Sequence, residues 1–499
     1  MRRFILCFAV LLLTAASLGC AHADDKTPPT STDELIKEGA WAELARLYPN
    51  SVTSDDKSAI TPEELASWWD IFEDPLLTEL IEKTLSGNKD VASARAKVTE
   101  ARAALGVSRA ALLPWLDSTD FWSNSRTPAE AGGAGSSVKL ARLGIDASWE
   151  IDLFGGTRAR VKAQEATLEA QYAELYSVWT GLAAETALEY ISLRTLQERL
   201  AIAQYNLYIQ QDTTDIEQSK VDSGLTDELS LQQAEYTMDQ TKAAIPVIEA
   251  QIEQTKNALA ILVGEAPGAL DERLSSKTPI PQINRIALIG IPANQLRRRP
   301  DIIHAERQLA AQLSRKKAAR ADLWPKFYLT GSIGTESLDW SGLFKGPAKL
   351  YSFMPQIVWP IFHAGAIRNN IKAQDAKAEQ LLALYEKTVL QAAGEVRDSL
   401  AANIKEYERL EALRSGVKAA GIALDLSMEK YSNGLVDFLN VINAQRDMAA
   451  ISDLYAISMG NTAANAVQLF NALGGGWKPM EEAEQALAAA EKEKKKKQN

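Results

Sequence analysis

Few side chains in this 499-residue sequence are of the types that carry out catalysis or bind metals. The three histidines, His22, His304 and His363, are too scattered to suggest a zinc site or a nucleophile with its base. The glycines in residues 331–334 lack the rest of a phosphate-binding loop, and the arginines at 297–299 directly precede a proline that begins a helix. The sequence therefore predicts neither an enzyme nor a cofactor site.

Cys20 is a candidate for covalent modification. It follows an export signal made of two arginines, an apolar run over residues 4–13 and then small residues. Residues 17–20 (SLGC) are similar to the site at which bacterial lipoproteins are cleaved and acylated, although Leu is preferred where the Ser stands. Residues 21–23 (AHA) fit ordinary signal peptidase equally well. We favour lipid attachment at Cys20 for its distance from the apolar run, with cleavage after residue 23 as the alternative.

Two similar helix-to-helix turns lie 210 residues apart, around Gly224 and Gly434. Other residues recur at the same offset: Trp149 and Trp359, Ile151 and Ile361, Arg158 and Arg368, Glu185 and Glu395, Ala234 and Ala444. Because glycine and tryptophan are infrequent, chance similarity among helices does not account for these matches. The chain is therefore predicted to be a duplicated unit.

Each half is predicted to contain one very long helix, over residues 156–221 and 365–431. Apolar residues recur every seven positions in both, which is typical of a coiled coil, and each helix should extend roughly 100 Å. Two shorter helices over residues 90–113 and 226–263 together have nearly the same length, so we expect them to stack end to end against the long one. Two glutamates interrupt the apolar seams, Glu189 and Glu406. They either face a pore or are solvated, and we favour solvation.

Between the helices the hydrophobic period changes from seven to two. Alternating apolar residues over 143–153, 326–334 and 351–361 predict strands with one apolar face, and residues 115–122 and 123–137 supply a partner strand and a loop. Each strand has roughly the 9 to 11 residues that a tilted bilayer crossing needs. Four strands cannot close a barrel alone, and lipid does not tolerate open strand edges, so a membrane-spanning sheet would need strands from several chains. The side chains expected to face lipid are Trp149, Ile151, Trp359 and Ile361.

Charge and hydropathy exclude two classes of protein. The net charge of −11 argues against a nucleic acid partner, because binding phosphates needs a basic surface. The mean hydropathy of −0.17 excludes a bundle of membrane-spanning helices.

The sequence predicts two repeats between a processed N-terminus and a charged tail. The N-terminus consists of a signal peptide (1–19) and a leader or tether (20–61), and the tail covers residues 477–499. The first repeat (62–270) contains a β-hairpin at about 115–153 and a helical turn at 224, and the second repeat (271–476) contains a β-hairpin at about 326–361 and a helical turn at 434.

Four motifs in this chain resemble the outer membrane factor family, the TolC-like exit ducts, in its lipoprotein branch found in tripartite efflux systems. They are WWDIFEDPLLTELI (68–81), LRRRPDIIHAERQL (296–309), ADLWPKFYLTGSIG (321–334) and YSNGLVDFLNVINAQR (431–446). The resemblance covers nearly the whole mature chain. It implies a mainly α fold with a small β part, in which long coiled-coil helical hairpins form a periplasmic α-barrel. Four transmembrane β-strands from each of three protomers would form a trimeric 12-stranded barrel.

The same resemblance implies a passive trimeric channel-tunnel that exports drugs and toxic compounds. Its partners would be a periplasmic adaptor (membrane fusion) protein, an inner membrane pump and outer membrane lipid, and the chain would be lipid-anchored in the outer membrane with a large periplasmic part. A duct for type I protein secretion or metal efflux is the alternative within the family. A periplasmic coiled-coil adaptor is the alternative from a different class, but it would contain one helical hairpin and accessory β-domains.

Members of the family also have a periplasmic entrance that closes, and the resemblance assigns its residues to single positions of this sequence. Tyr431 matches a Tyr that helps to hold the entrance closed in related ducts. Positions that are acidic in some members, and that narrow the pore, correspond to Asn440, Asn443 and Ser230. Asp437, Asp222 and Asp227 are hypothesised to supply negative charge instead, or they are ordinary solvated turn carboxylates. The entrance residues implied are Tyr431, Gly434, Asp437, Asn440, Asn443, Gly224, Asp227 and Ser230.

Overall fold

The structure, a computed structural model, describes residues 65–126, 128–131, 135–283 and 296–477. Cys20, the signal and the leader lie outside the described residues, as does the tail after residue 477. The helices are α1 (Pro75–Gly87), α2 (Lys89–Ala110), α3 (Gly156–Asp222), α4 (Glu228–Val263), α5 (Asp271–Leu274), α6 (Pro300–Ala321), α7 (Ala366–Ser432) and α8 (Phe438–Ala472). The strands are β1 (Trp115–Ser118), β2 (Phe121–Arg126), β3 (Ser137–Ile151), β4 (Lys326–Ser337) and β5 (Lys349–Val358).

The long helices α3 and α7 have 67 residues each, so each extends roughly 100 Å. Each begins after a glycine with positive φ, Gly155 at +78° and Gly365 at +82°, and these two glycines are 210 residues apart. A left-handed glycine lets the chain leave the sheet and enter a helix without a Cβ clash. None of the helices in the described ranges has an apolar stretch long enough for a membrane crossing.

The shorter helices stack end to end along the long ones, as their lengths predict. Helices α2 and α4 both pack on α3, and Asn88, the N-cap of α2, donates from Nδ2 to the carbonyl oxygen of Leu262 at the end of α4 (2.9 Å). In the second half, α6 and α8 both pack on α7, and Arg299 Nη1 donates to the carbonyl oxygen of Ala472 (2.6 Å). Asn88 and Arg299 therefore join equivalent helix ends.

The two halves pack against each other through α3, which contacts both α6 and α8 of the second half, and through the paired strands β3 and β4. Gly460 of α8 allows close approach, because a Cβ there would lie 2.1 Å from Oγ1 of Thr195. The buried Gln445 Nε2 donates to Oγ1 of Thr213 (2.9 Å), which fixes the register of the two helices nearer their other end. An apolar core beside this interface includes Trp68, which stacks on Phe470 with 5.6 Å between ring centroids.

The predicted solvation of the seam glutamates is wrong for Glu406, and Glu189 is only partly exposed. The Glu406 side chain is only 14% exposed and accepts a hydrogen bond from Ser458 Oγ (2.6 Å). Glu189 is half-buried, and burial, together with the nearby carboxylate of Glu185, raises its pKa. Both side chains lie where an apolar residue of the seam would pack, so neighbouring helices cover them.

The strands form one antiparallel sheet four rows wide, in the order β1-β3-β4-β5 with β2 also paired to β3. The predicted strand over residues 115–122 is instead divided between β1 and β2, because the Asp120 carboxylate accepts a hydrogen bond from the backbone N–H of Gly144 and interrupts the ladder. β2 also continues to Arg126, inside the predicted loop. Trp359 and Ile361 were predicted within the last strand but follow its end, because Pro360 has no N–H to donate.

Register across the strands separates an apolar from a polar face. Residues directly opposite each other share a face, and one such row contains Ile145, Ile333 and Tyr351. The neighbouring row on the other face contains Asp146, Ser332 and Ser352, and the two serine hydroxyls are 2.7 Å apart. Trp149 and Ile151 belong to the apolar face by the same alternation.

Candidate functional site

The turns around Gly224 and Gly434, at the ends of α3 and α7 farthest from the sheet, have the same backbone geometry. The glycines have φ of +68° and +69°. In each turn the residue after the glycine donates from its N–H to a carbonyl five residues earlier: Leu225 to Lys220 (2.8 Å) and Leu435 to Lys430 (2.9 Å). This is the Schellman arrangement, which ends a helix at a left-handed residue and lets the next helix return.

The aspartates after the two glycines differ in what they bind. Asp227 is the N-cap of α4, and its carboxylate accepts from the N–H of Ser230 (3.1 Å) and from the Ser230 hydroxyl (3.0 Å). Asp437 occupies the same position before α8, but its exposed carboxylate makes no cap hydrogen bond. Ser230 therefore supports a helix cap. The third hypothesised aspartate, Asp222, accepts a hydrogen bond from Nε2 of Gln218 (2.9 Å).

Tyr431 is the predicted entrance residue with the most extensive contacts. Its hydroxyl lies 2.8 Å from both carboxylate oxygens of Glu217, which is at the end of α3 and 0% exposed. Lys220 Nζ lies 3.1 Å from a Glu217 oxygen and 3.9 Å from the Tyr431 ring centroid. A phenol, a buried carboxylate and an ammonium therefore join the end of the second long helix to the end of the first.

The electrostatics of this cluster stabilise a neutral Tyr431 and a charged Lys220. Burial raises the pKa of Tyr431; Lys220 lowers it and the Glu217 carboxylate raises it further, so the pKa lies above the ordinary 10.0. Burial by itself would lower the pKa of Lys220, but its contacts with Tyr431 and Glu217 outweigh this and raise it. The hydrogen bond from Tyr431 and the ion pair of Lys220 thus compensate a carboxylate that water does not reach.

Apolar packing surrounds this cluster on the side of the second turn. The Tyr431 ring lies 5.3 Å from the Phe438 ring, measured between centroids. Phe438 packs in a buried group that also includes residues of α4 and α8: Ala234, Val441 and Ile442. The tips of the two helical hairpins are therefore joined by a small core as well as by polar contacts.

Sequence reasoning identified Tyr431 but missed Glu217 and Lys220. A signal was present, because Glu217 lies three heptads after Leu196 on a predicted apolar seam of α3, and a seam position is expected to be covered. Asn440 and Asn443 are exposed, and the Asn440 amide lies near only its own turn, donating to the Asp437 carbonyl (3.3 Å). The structure therefore does not bring them into the Tyr431 cluster.

The predicted lipid-facing tryptophans have equivalent contacts at the other end of the helices. Trp149 Nε1 donates to the carbonyl oxygen of Leu112 (3.0 Å), and Trp359 Nε1 donates to that of Leu323 (3.3 Å). Each indole thus covers the corner where a helix ends before a strand. No group of three or more His, Cys, Asp or Glu side chains within the described ranges is arranged to hold a metal ion.

Sequence comparison matches the chain to the family described as outer membrane efflux protein, over residues 80–265 and again over residues 291–475. The solvent efflux pump outer membrane protein SrpC of Pseudomonas putida is 32% identical, over 94% of this chain and 97% of that protein. The probable outer membrane lipoprotein SilC of Salmonella typhimurium is 28% identical, over 86% and 92%.

Solved structures agree with this assignment. The outer-membrane channel OprN is 31% identical, with a TM-score of 0.79, and the match covers 86% of this chain and 99% of OprN. The Campylobacter jejuni outer membrane channel CmeC, at 23% identity, has the same fold with a TM-score of 0.79 over 87% of this chain and 94% of CmeC. The chain therefore belongs to the outer membrane efflux protein family and is an exit duct for efflux.

Proposed function

We propose that three copies of the chain form one closed tube across the outer membrane and into the periplasm. In this assembly each four-row sheet supplies a third of a twelve-stranded barrel. The observation that carries the proposal is the sheet itself, which has an apolar face across β3, β4 and β5 and free edges at β1, β2 and β5. Lipid does not tolerate unpaired strand edges, and pairing with neighbouring copies removes them.

Exposed apolar residues on the outermost helices support the same assembly. Within a protomer the long hairpins lie in the order α4, α3, α8, α7, which leaves α4 and α7 at the two sides. Both carry exposed apolar side chains along their length: Leu229, Tyr236 and Val247 on α4, and Leu390, Ile404 and Ile422 on α7. Contact between α4 of one copy and α7 of the next would bury these side chains and close the helical tube.

The proposed entrance lies at the two turns, and the contact between Tyr431 and Glu217 holds the hairpin tips together when the duct is closed. Asp437 is the turn carboxylate available to a cation, because Asp227 is used as a cap. A periplasmic adaptor would engage this end and connect the duct to an inner membrane pump. The name of SrpC, a solvent efflux pump outer membrane protein, supports small toxic compounds as the cargo.

The decisive experiment is single-channel conductance in a planar bilayer, with the mass of the same detergent-purified protein measured alongside. A trimer with a small conductance that favours cations is expected for a mostly closed duct. A monomer without conductance would contradict the proposal and favour a coiled-coil adaptor, since an adaptor does not form a pore on its own.

We also propose that Cys20 is acylated, which anchors the mature chain to the membrane. The SLGC sequence supports this, and so does the lipoprotein name of SilC. The Cys20→Ser variant should lose the mass of the acyl groups, measured by intact mass spectrometry. Identical mature masses of the variant and the wild type would instead favour cleavage after residue 23, because position 20 would then be removed with the signal.

Trp149 and Trp359 are proposed to lie near lipid at equivalent heights, at one aromatic girdle of the barrel. Lipids that carry a quencher at a known depth should reduce the fluorescence of both indoles by similar amounts. Variants with one of the two replaced by Phe separate their contributions. Fluorescence that such lipids leave untouched would contradict this placement.

A further inference from the structure

The helix ends beside the sheet have a charge opposite to that of the whole chain. Four stretches of the sequence meet there, at the ends of α2 and α6 and the starts of α3 and α7: residues 99–114, 152–167, 311–326 and 362–377. Together they contain 13 Lys and Arg and 5 Asp and Glu, a net charge of +8 in a chain of net charge −11. We call these four stretches the basic collar.

Most of the acidic residues in the collar are already paired with collar cations. Asp322 accepts from both Arg160 (3.3 Å) and Lys326 (3.2 Å). The pairs Arg109–Glu165, Arg158–Asp152 and Lys316–Asp375 account for three others. Within the described part of the chain, six exposed collar cations have neither a side-chain ion pair nor a side-chain hydrogen bond: Lys162, Lys317, Arg320, Arg368, Lys372 and Lys377.

Two of these cations share a helix face with an exposed tryptophan. Lys317, Arg320 and Trp324 have the spacing i, i+3, i+7, which places them on one side of α6 and the turn that follows it. Trp324 is 54% exposed and stacks on Phe154 with 5.2 Å between ring centroids. The ring centroid of Phe154 also lies 6.4 Å from that of Phe327, which belongs to the apolar face of the sheet. Lys317 and Arg320 therefore lie beyond the apolar face, on its helix side.

The spacing matches the layers of a membrane surface. At 1.5 Å per residue, Arg320 lies about 6 Å and Lys317 about 10 Å from Trp324 along the helix. The headgroup layer on one side of a bilayer is about 5–7 Å thick, and aromatic side chains lie at its inner boundary. Long Lys and Arg side chains reach several ångströms further, so their charged ends can meet lipid phosphates.

We infer that the basic collar binds anionic phospholipid headgroups in the leaflet facing the helices, with Lys317 and Arg320 as its main contacts. This inference rests on the proposed placement of the sheet in a bilayer. Complementary charge and continuity with the apolar face favour a lipid surface over a protein or a free anion, because only a bilayer presents phosphates next to a hydrocarbon edge. Each Lys or Arg near an anionic surface contributes favourably to binding, and salt weakens the contribution.

The test uses the full-length protein in nanodiscs that contain equal amounts of phosphatidylglycerol and phosphatidylcholine. Native mass spectrometry after release counts the retained molecules of each lipid. The wild type should retain phosphatidylglycerol preferentially, and Lys317→Gln with Arg320→Gln should reduce that preference on the order of tenfold. The matched control is Lys405→Gln with Arg414→Gln, which removes one Lys and one Arg exposed far from the collar on α7 and should keep the wild-type preference.

Flotation with pure phosphatidylcholine liposomes distinguishes failure of the proposed membrane placement from failure of headgroup binding by the collar. A chain that does not float with neutral liposomes would contradict the placement of the sheet itself. A chain that floats with neutral liposomes but retains both lipids equally would overturn only the collar. Loss of preference in the control variant as strong as in the collar variant would also overturn it, because net charge alone would then explain retention.

Discussion

The turns at Gly224 and Gly434 have one backbone geometry and two different sets of side-chain contacts. Their glycines, helix-ending hydrogen bonds and N-cap aspartates correspond at an offset of 210. However, Val221 and Ser427 occupy the positions that correspond to Tyr431 and Glu217, so the Tyr431–Glu217 contact has no counterpart. The two turns thus share the parts that reverse the chain, while the contact that joins the hairpins exists on one side alone.

This asymmetry suggests how the tip can be held and released. A symmetric pair of contacts would have to break together, whereas here one buried carboxylate receives both the phenol and the ammonium. The first turn contributes the acceptor from α3, and the second turn contributes the donor from α7. Substitutions at the two turns should therefore have unequal effects on a closed duct, and the following predictions test that difference.

The largest effect is expected from Glu217→Gln. The amide keeps the shape of the side chain but leaves Lys220 without its counter-charge and weakens the bond from Tyr431, a loss of about 1.5–3 kcal/mol for a hydrogen-bonded charge. If this contact closes the entrance, the mean conductance in a planar bilayer should rise several-fold. The control is Ser427→Ala at the corresponding position of α7, where the exposed hydroxyl binds only the Ala423 carbonyl. Equal conductance of Glu217→Gln and wild type would show that the Tyr431–Glu217 contact does not close the entrance.

High pH should produce an effect of intermediate size. Because the pKa of Tyr431 in the folded cluster lies above the ordinary 10.0, its neutral form stabilises the contact with Glu217 below about pH 10. That stabilisation is lost as the pH rises through the raised pKa, since a phenolate would face the Glu217 carboxylate. Conductance should therefore increase in the alkaline range.

Tyr431→Phe provides the control for this pH effect. Phe keeps the ring beside Phe438 and Lys220 but has no proton to lose, so its conductance should start higher and lack the tyrosine-dependent alkaline rise. An identical alkaline rise in Tyr431→Phe would assign the titration to other groups and would separate Tyr431 from the entrance.

The parts of the fold that follow from local rules were predictable from the sequence. The lengths of α3 and α7 follow from a seven-residue apolar period bounded by glycines, and their stacking partners follow from length alone. The alternating faces of the sheet were also predictable, because a strand has a period of two whatever its partners are. Trp359 and Ile361 were misplaced because alternation continues past Pro360, where hydrogen bonding cannot.

The polar contacts of the tip were not predictable, because seam periodicity identifies covered positions but not their partners. Glu217 and Glu406 both lie where neighbouring helices cover them, and each is stabilised by a hydroxyl from another helix, that of Tyr431 or of Ser458. Which hydroxyl reaches which carboxylate depends on the axial register of α3, α7 and α8. Contacts as distant in sequence as Gln445 with Thr213 set that register.

The smallest expected effect concerns the two N-cap aspartates, and it tests the comparison most sharply. Asp437→Asn removes a carboxylate that makes no cap hydrogen bond, whereas Asp227→Asn removes one that binds Ser230. Both variants change charge equally, and Asn is itself a good N-cap, so neither should unfold its helix. If Asp437 is the cation site, Asp437→Asn should weaken block by divalent cations about fivefold, as expected for the loss of an interaction of about 1 kcal/mol between exposed charges. Asp227→Asn should leave the block unchanged, because the Asp227 carboxylate already binds Ser230. Equal effects of the two substitutions would mean that the turns differ in their contacts but not in their function.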